Sequence, residues 1–308
     1  MSHLTLQAGV TTVVVTGAGS GFGLELARLG AQKGLNLVLM DVQQDSLDAV
    51  VQELRSQKAQ VAALRGDVSR PEDVKALADL CLERFGVPHL VINNAGVAHG
   101  GLIWEHSMRD WQWVLGVNLY GVIHGVHTFT PLMLRAAKKD PAYQGHIVNV
   151  ASMAGLLNSP NMGAYNVSKH AVVSLSETLY QDLSLVTDQV HASVLCPYFV
   201  PTGLHLSDRN RPRELRSEGK PTPSQLIAQA MSTKAVTSGK VTAAQTAAMI
   251  YDGVERGSFY IFTHPNAMGS VQTRMEDILQ ARNPTDPFAG KPEIGDRLRQ
   301  ALKEASPR

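Results

Sequence analysis

Seven short, β-branched apolar runs alternate with longer stretches of helical periodicity, and that alternation most limits what this chain can fold into. The runs fall at 12–15, 36–40, 60–64, 90–92, 146–150, 191–195 and 259–262. Helical patterns fill 22–33, 44–57, 71–85, 108–138, 164–187 and 243–256. A helix between two strands carries the chain back to the end of the sheet where it began, so successive strands lie parallel. The alternation predicts an α/β fold, a doubly wound parallel sheet of about seven strands with helices on both faces. Residues 203–242, with Pro212, Pro221 and Pro223, interrupt the rhythm and predict a mobile flap. The flap is assigned to a domain spanning 1–263, and residues 264–308 to a C-terminal helical extension. In that extension a helical pattern runs through 275–281, followed by a Pro/Asp-rich turn and a charged helix. No internal repeat is evident, and no linker divides the chain before about residue 263.

Composition narrows the class. Of 308 residues, 44% are apolar, 18% are charged and 26 are glycine, which suits a globular enzyme rather than a disordered or fibrous chain. A net charge of +1 gives no electrostatic footprint for nucleic acid or an anionic membrane, and neither is expected as a partner. Cys81 and Cys196 lie far apart without metal-type spacing and read as reduced core thiols. The first residues lack the basic start and apolar run of a signal peptide, and no apolar stretch is long enough to span a bilayer. A soluble, cytoplasmic protein is the expectation. His124 and His127 can share a helix face but bring no carboxylate or thiolate with them, so no metal site is expected. The arginines between 209 and 216 flank Pro212 and read as a solvated loop.

Two features carry chemistry. The first apolar run ends in Thr16-Gly17-Ala18-Gly19-Ser20-Gly21-Phe22-Gly23 and enters a helix directly. Glycines let the backbone approach a pyrophosphate, and a helix N-terminus offers N–H donors and positive dipole. Asp41 closes the second run, 18 residues after Gly23, where a carboxylate can accept both hydroxyls of an adenosine ribose and repel a 2′-phosphate. Val42 and Ser20 supply no positive charge there. The second feature is Tyr165 and Lys169, one helical turn apart on one face. An ammonium beside a phenol favours the phenolate, and each pKa unit is worth about 1.4 kcal/mol. A tyrosine lowered in this way can exchange protons near neutral pH, as a general acid–base must.

Together these motifs resemble the short-chain dehydrogenase/reductases of the single-domain kind, over roughly residues 10–263. Thr16, Gly17, Gly21 and Gly23 match the family's glycine signature, and Asn93-Asn94-Ala95-Gly96 its Asn-Asn-Ala-Gly motif. Asp67 and Val68 match its adenine-contacting pair, and Asn118, Ser152, Tyr165 and Lys169 its catalytic set. The resemblance implies a Rossmann sheet and a nicotinamide cofactor, with NAD preferred over NADP because of Asp41. Contacts to that cofactor are expected from Gly17, Gly19, Ser20, Gly21, Phe22, Gly23, Asp41, Asp67, Val68, Asn94 and Gly96. Tyr165, Lys169, Pro197, Val200 and Thr202 complete the implied set. Two departures stand out: Tyr198 replaces a usual glycine near the nicotinamide, and 135–144 reads as a charged surface insertion.

The activity implied is reversible hydride transfer between a nicotinamide and a secondary alcohol or ketone, bulky or aromatic. Tyr165 would move the hydroxyl proton and Ser152 hold the substrate oxygen. Lys169 would lower the tyrosine pKa and bind the nicotinamide ribose, and Asn118 would hold a water linking Lys169 to solvent. An NADPH-dependent carbonyl reductase and a non-catalytic nucleotide sensor on the same fold remain alternatives. Met153, Leu157, Met162, Tyr198 and Leu204 are the implied substrate wall. No arginine falls among them, which disfavours a carboxylate-bearing substrate unless Arg209 or Arg211 reaches in from the flap. Relatives commonly pair through two long helices, here 108–138 and 164–187, which implies a homodimer or homotetramer. An apolar stripe of Met268, Val271, Met275, Ile278 and Leu279 is expected to bury at the pocket mouth or against a second subunit.

Overall fold

The sheet starts at β1 (Thr12–Thr16), an interior strand, and the chain winds outward from it in both directions. β2 (Asn36–Asp41) and β3 (Val61–Arg65) build one side. β4 (Leu90–Asn93), β5 (Gly145–Val150), β6 (Val190–Cys196) and β7 (Tyr260–Phe262) build the other. The order is β3-β2-β1-β4-β5-β6-β7 and every pairing is parallel, as the alternation predicts. The computed structural model describes residues 3–216 and 219–305.

Both faces of the sheet are buried, and the strand period shows why the runs are continuously apolar. Val13 and Val15 enter one core with Leu37, Leu39, Leu90 and Ile92, while Val14 enters the opposite core with Val38, Met40 and Val91. The first core is roofed by α1 (Gly21–Gln32), α2 (Gln44–Ser56) and α8 (Ala243–Glu255). Tyr251 of α8 donates its hydroxyl proton to Leu26 O of α1. The second core is covered by α3 (Pro71–Phe85), α5 (Gly121–Lys139) and α6 (Gly163–Val186), through Leu77, Phe129, Met133 and Leu179. Truncating a fully buried residue such as Leu39 to alanine removes about 2–5 kcal/mol of stability.

One polar chain crosses this second core. Asn93 Nδ2 donates to Asn149 Oδ1, Asn149 Nδ2 donates to Ser176 Oγ, and Ser176 Oγ donates to Val172 O. Each link satisfies a buried group that would otherwise destabilise the core. Gly125 lets α5 pass over the chain, since a Cβ there would lie 2.0 Å from Asn93 Oδ1.

Three expectations change. The helix expected over 108–138 is α4 (Met108–Leu115), a π turn at Gly116–Tyr120 and α5. A π turn shifts carbonyls out of the ordinary ladder and is common at functional sites; this one contains Asn118. Residues 135–144 lie largely at the surface, as a charged segment should, but they do not form a separate loop. Arg135 to Lys139 complete α5, and the turn after them buries Tyr143, whose hydroxyl donates to Pro88 O. Finally, the flap region is largely helical. It holds 3₁₀ turns at Gly203–Asn210 and Arg213–Leu215, then α7 (Pro223–Thr237), started by a capping box of Thr222 and Gln225. Beyond β7 lie α9 (Met268–Leu279) and α10 (Pro292–Ala305), the latter against α7.

Candidate active site

Between β1 and β4 the chain reverses its direction of travel across the sheet, and the carboxyl ends of the strands there open onto a cavity of about 1510 Å³. Its floor at one end is the loop from β1 into α1. Gly17 and Gly21 take φ of +66° and +54°, which side chains with a Cβ rarely adopt. A Cβ on Gly19 would lie 2.9 Å from Asp41 Cγ, and one on Gly23 would lie 2.1 Å from Gly17 O. Gly23 therefore packs α1 against the loop and, contrary to expectation, does not line the cavity. Gly17, Gly19, Ser20, Gly21, Phe22, Asp41, Asp67, Val68, Asn94, Gly96, Pro197, Val200 and Thr202 all do. Asp41 Oδ2 and Oδ1 accept from Gly19 N and Gln43 N at 2.8 Å each, which aims the carboxylate while leaving acceptor capacity. A bare-backbone loop at a helix N-terminus, with a fixed carboxylate beside it, fits a dinucleotide.

Ser152, Tyr165 and Lys169 line the same cavity further along. Ser152 sits at the end of β5, its Oγ accepting from Ala154 N and donating weakly to Pro197 O at 3.4 Å. Tyr165 and Lys169 project from the first turns of α6, with Lys169 Nζ 5.8 Å from the Tyr165 ring centroid and donating to Val150 O at 2.9 Å. Burial pushes the Tyr165 phenol above its ordinary range, with only the Ser152 hydrogen bond opposing. Burial also pulls Lys169 down to about 8. The expected lowering of the tyrosine by Lys169 is thus not met, because desolvation in an apolar recess dominates. Asn118 is fully buried in the π turn and away from the cavity surface. Its Oδ1 accepts from Val97 N, and its Nδ2 donates to Val97 O and Ser168 Oγ. Both amide protons are used, so a bound water could meet Asn118 only as a donor, to a carbonyl oxygen.

The flap closes over the nucleotide end. Gln43 Nε2 donates to Asn210 Oδ1 at 3.0 Å and to Arg209 O at 3.3 Å, and Arg209 Nη2 lies 3.5 Å from Ser20 Oγ. Arg209 therefore brings to the glycine loop the cation that Ser20 and Val42 lack. Arg211 is not solvated as expected. It is buried, donating from Nη2 to Asp110 Oδ1 at 2.6 Å and from Nε to Leu215 O, with its guanidinium 4.9 Å over the Trp113 ring. Burial works against the Asp110 carboxylate, but hydrogen bonds from Ser107 and Arg211 hold its pKa below the usual range. His99, His106 and Asp110 bring ligand-type atoms within 4.8 Å of one another. Arg211 and Ser107 already occupy the Asp110 oxygens, so a metal ion would have to displace a guanidinium. His124, one of the pair weighed from the sequence, instead places Nδ1 2.9 Å from Val68 O.

Met153, Leu157, Met162, Tyr198 and Leu204 line the other end of the cavity. Tyr198 does not fill the expected glycine space. It is 43% exposed, and its ring packs on Phe199 and His264 at centroid distances of 4.5 and 5.8 Å. The sequence did not reveal the far wall, where Ile227 and Met231 of α7 and residues of α9 and α10 join the cavity. The tail's apolar stripe is only half met. Val271 is buried beside Met153, but Met275, Ile278 and Leu279 are 42%, 60% and 84% exposed.

Comparison with known proteins agrees with this geometry. Residues 11–212 match the short chain dehydrogenase family. The chain belongs to the short-chain dehydrogenase/reductases. A solved member from Burkholderia phymatum, in complex with NAD, superposes with a TM-score of 0.90 at 49% identity, covering 93% of this chain and all of that one. The CLA biosynthesis dehydrogenase/reductase of Lactiplantibacillus plantarum is 32% identical over 86% of this chain and 92% of its own. The 1-deoxy-11-beta-hydroxypentalenate dehydrogenase of Streptomyces avermitilis is 32% identical over 87% of this chain and 88% of its own. This short-chain dehydrogenase/reductase is thus an oxidoreductase of the alcohol type, and among its described residues no helix is long and apolar enough to cross a membrane.

Proposed function

We propose that the protein is an NAD-preferring dehydrogenase of bulky secondary alcohols, reversible towards the ketones. The observation that carries this reading is the single cavity in which Ser152, Tyr165 and Lys169 stand between the Asp41 glycine-loop end and an apolar wall. When bound, the nicotinamide dinucleotide supplies the hydride acceptor or donor. Ser152 Oγ orients the substrate oxygen towards the Tyr165 hydroxyl, which takes the proton in oxidation and returns it in reduction. Lys169 bears its charge beside the phenol and favours the phenolate as it forms. From Lys169 the proton would pass to solvent through water, which Asn118 would help to hold by accepting its hydrogen bond.

Asp41 supports the preference for NAD, since it would repel a 2′-phosphate. Arg209 beside Ser20 favours phosphate contact and keeps an NADPH-dependent reductase as the second reading. The volume and the Met153, Leu157 and Met162 lining support a bulky substrate. Pairing of two copies through α4–α5 and α6 is supported by the exposed Met108, Tyr120 and Val167 on those elements. Steady-state rates for a panel of secondary alcohols and ketones with each cofactor test the reading. Turnover of bulky alcohols with NAD is expected; no turnover of any member with either cofactor would refute it.

A further inference from the structure

α9 turns an unusual face towards the cavity. Ser270, Thr273, Arg274, Asp277 and Ile278 line it, with the spacing of one helix face. That stripe is polar where a helix packed on a core would be apolar. The helix is fixed in place by Val271, buried in one cluster with Met153 and the partly buried Leu156 and Leu157. Since Met153 follows Ser152 directly, α9 stands at the substrate end of the cavity and not at the nucleotide end.

Arg274 is half-buried on this face, and no carboxylate among the described residues lies within 4.0 Å of its guanidinium. Asp277, the acid on the same face, is already engaged. Arg282 Nη2 lies 3.0 Å from its Oδ1, and Thr285 N donates to its Oδ2 at 2.9 Å. The other acid in this region, Asp286, is held by Arg299 at 2.9 Å. Lys234 of α7 and Arg297 of α10 line the same space, again without a carboxylate partner within 4.0 Å among the described residues. A solubilising arginine would sit on the outward face, where Gln272 and Glu276 pair with each other at 2.8 Å. Arg274 is the partly buried cation of the three, while Lys234 and Arg297 are exposed. Holding a cation partly out of water without a counter-charge costs free energy, and such a cation beside apolar walls is complementary to an anion.

We infer that the cavity takes a bulky, largely apolar secondary alcohol or ketone bearing a carboxylate remote from the reacting carbon, and that Arg274 reads that charge. This reverses the expectation, drawn from sequence, that a carboxylate-bearing substrate is disfavoured. It rests on the dehydrogenase reading above but makes a separate claim. Arg274 is a specificity-determining residue; the proton chemistry stays with Tyr165.

The test uses a chain-length series of ω-1 hydroxy fatty acids, each against its methyl ester, with the full chain and NAD. For the length that fits, kcat/KM for the acid is expected to exceed that for the ester by about tenfold, the scale of one charge-assisted hydrogen bond. The difference should lie mainly in KM. Arg274→Leu should erase the preference while leaving ester turnover within about twofold, Arg274→Lys should keep part of it, and added salt should weaken it. Equal or better use of the ester by the wild-type protein at every length would overturn the inference, as would an acid preference that survives Arg274→Leu. Either result, with ester turnover intact, would leave the dehydrogenase reading standing. Absence of turnover for acids and esters alike, with neutral bulky alcohols also inert, would remove both.

Discussion

Asp41 Oδ2 accepts a hydrogen bond from Gly19 N at 2.8 Å, so the residue that ends β2 is locked to the loop that ends β1. One carboxylate thereby shapes the glycine loop and, in the proposed reading, would face the ribose. Despite Arg209 near Ser20, Asp41 is expected to make NAD favoured over NADP by about 1–3 kcal/mol. Asp41→Ala should shrink that gap and also weaken NAD binding, because the loop loses its anchor. Dissociation constants from quenching of intrinsic fluorescence provide the check, and equal wild-type affinities would contradict the assignment.

The Arg211–Asp110 pair ties the flap to α4 in a buried setting. Arg211→Met takes the guanidinium away from the buried Asp110 carboxylate, which keeps its Ser107 hydrogen bonds, and should destabilise the protein by about 1–3 kcal/mol. Asp110→Asn combined with Arg211→Met should recover a large part of that loss. Urea denaturation of Arg211→Met, Asp110→Asn and the double variant distinguishes a true pair, which shows this coupling, from two independent contributions that simply add. Hydrogen exchange across 203–242 should rise in the single variant, since the flap would have lost its clasp.

Lys169 offers a trade between stability and activity. Its pKa falls from an ordinary 10.5 to about 8 in the folded chain, so the unfolded chain binds the proton more tightly. Stability should therefore rise as pH climbs between those two values, and at neutral pH the buried ammonium is a burden. Lys169→Met is expected to gain roughly 1–3 kcal/mol at neutral pH, an advantage that fades at strongly alkaline pH, while turnover collapses. Denaturation midpoints measured across that window would show no such convergence if Lys169 were fully solvated.

Burial favours the protonated form of the Tyr165 phenol. Oxidation, which needs Tyr165 to accept a proton, should therefore accelerate towards alkaline pH, and reduction, which needs it to donate, should be favoured at lower pH. kcat/KM measured in both directions over pH should show limbs of opposite sign. Parallel profiles in the two directions would point to a different titrating group.

The fold was legible because each β-branched run and each helical pattern states its own period, and helical crossovers make the strands parallel; the order of the strands came from the structure. The site was legible where the spacing is local, as in Gly17 to Gly21 or Tyr165 and Lys169. Legibility stops where side chains meet across long separations. Nothing near Arg211 announces that Asp110, a hundred and one residues earlier, will bury it. The same holds for Arg274, which a helical wheel assigns to a polar face without saying that this face looks into a cavity. Tyr165 failed in a different manner. Its spacing from Lys169 suggested a lowered pKa, but the sign depends on desolvation, which only packing determines.

The reaction itself turns on the Tyr165 hydroxyl. Replacing it in Tyr165→Phe removes one oxygen from a residue that is 8% exposed and leaves the ring packing in place. Turnover of a bulky secondary alcohol with saturating NAD is the direct measurement, made alongside NAD affinity for the same protein. The expected result is a fall of at least ~100-fold in kcat with NAD affinity nearly unchanged, since the phenol acts in the transition state. Retention of a tenth or more of wild-type turnover would show that another group moves the proton.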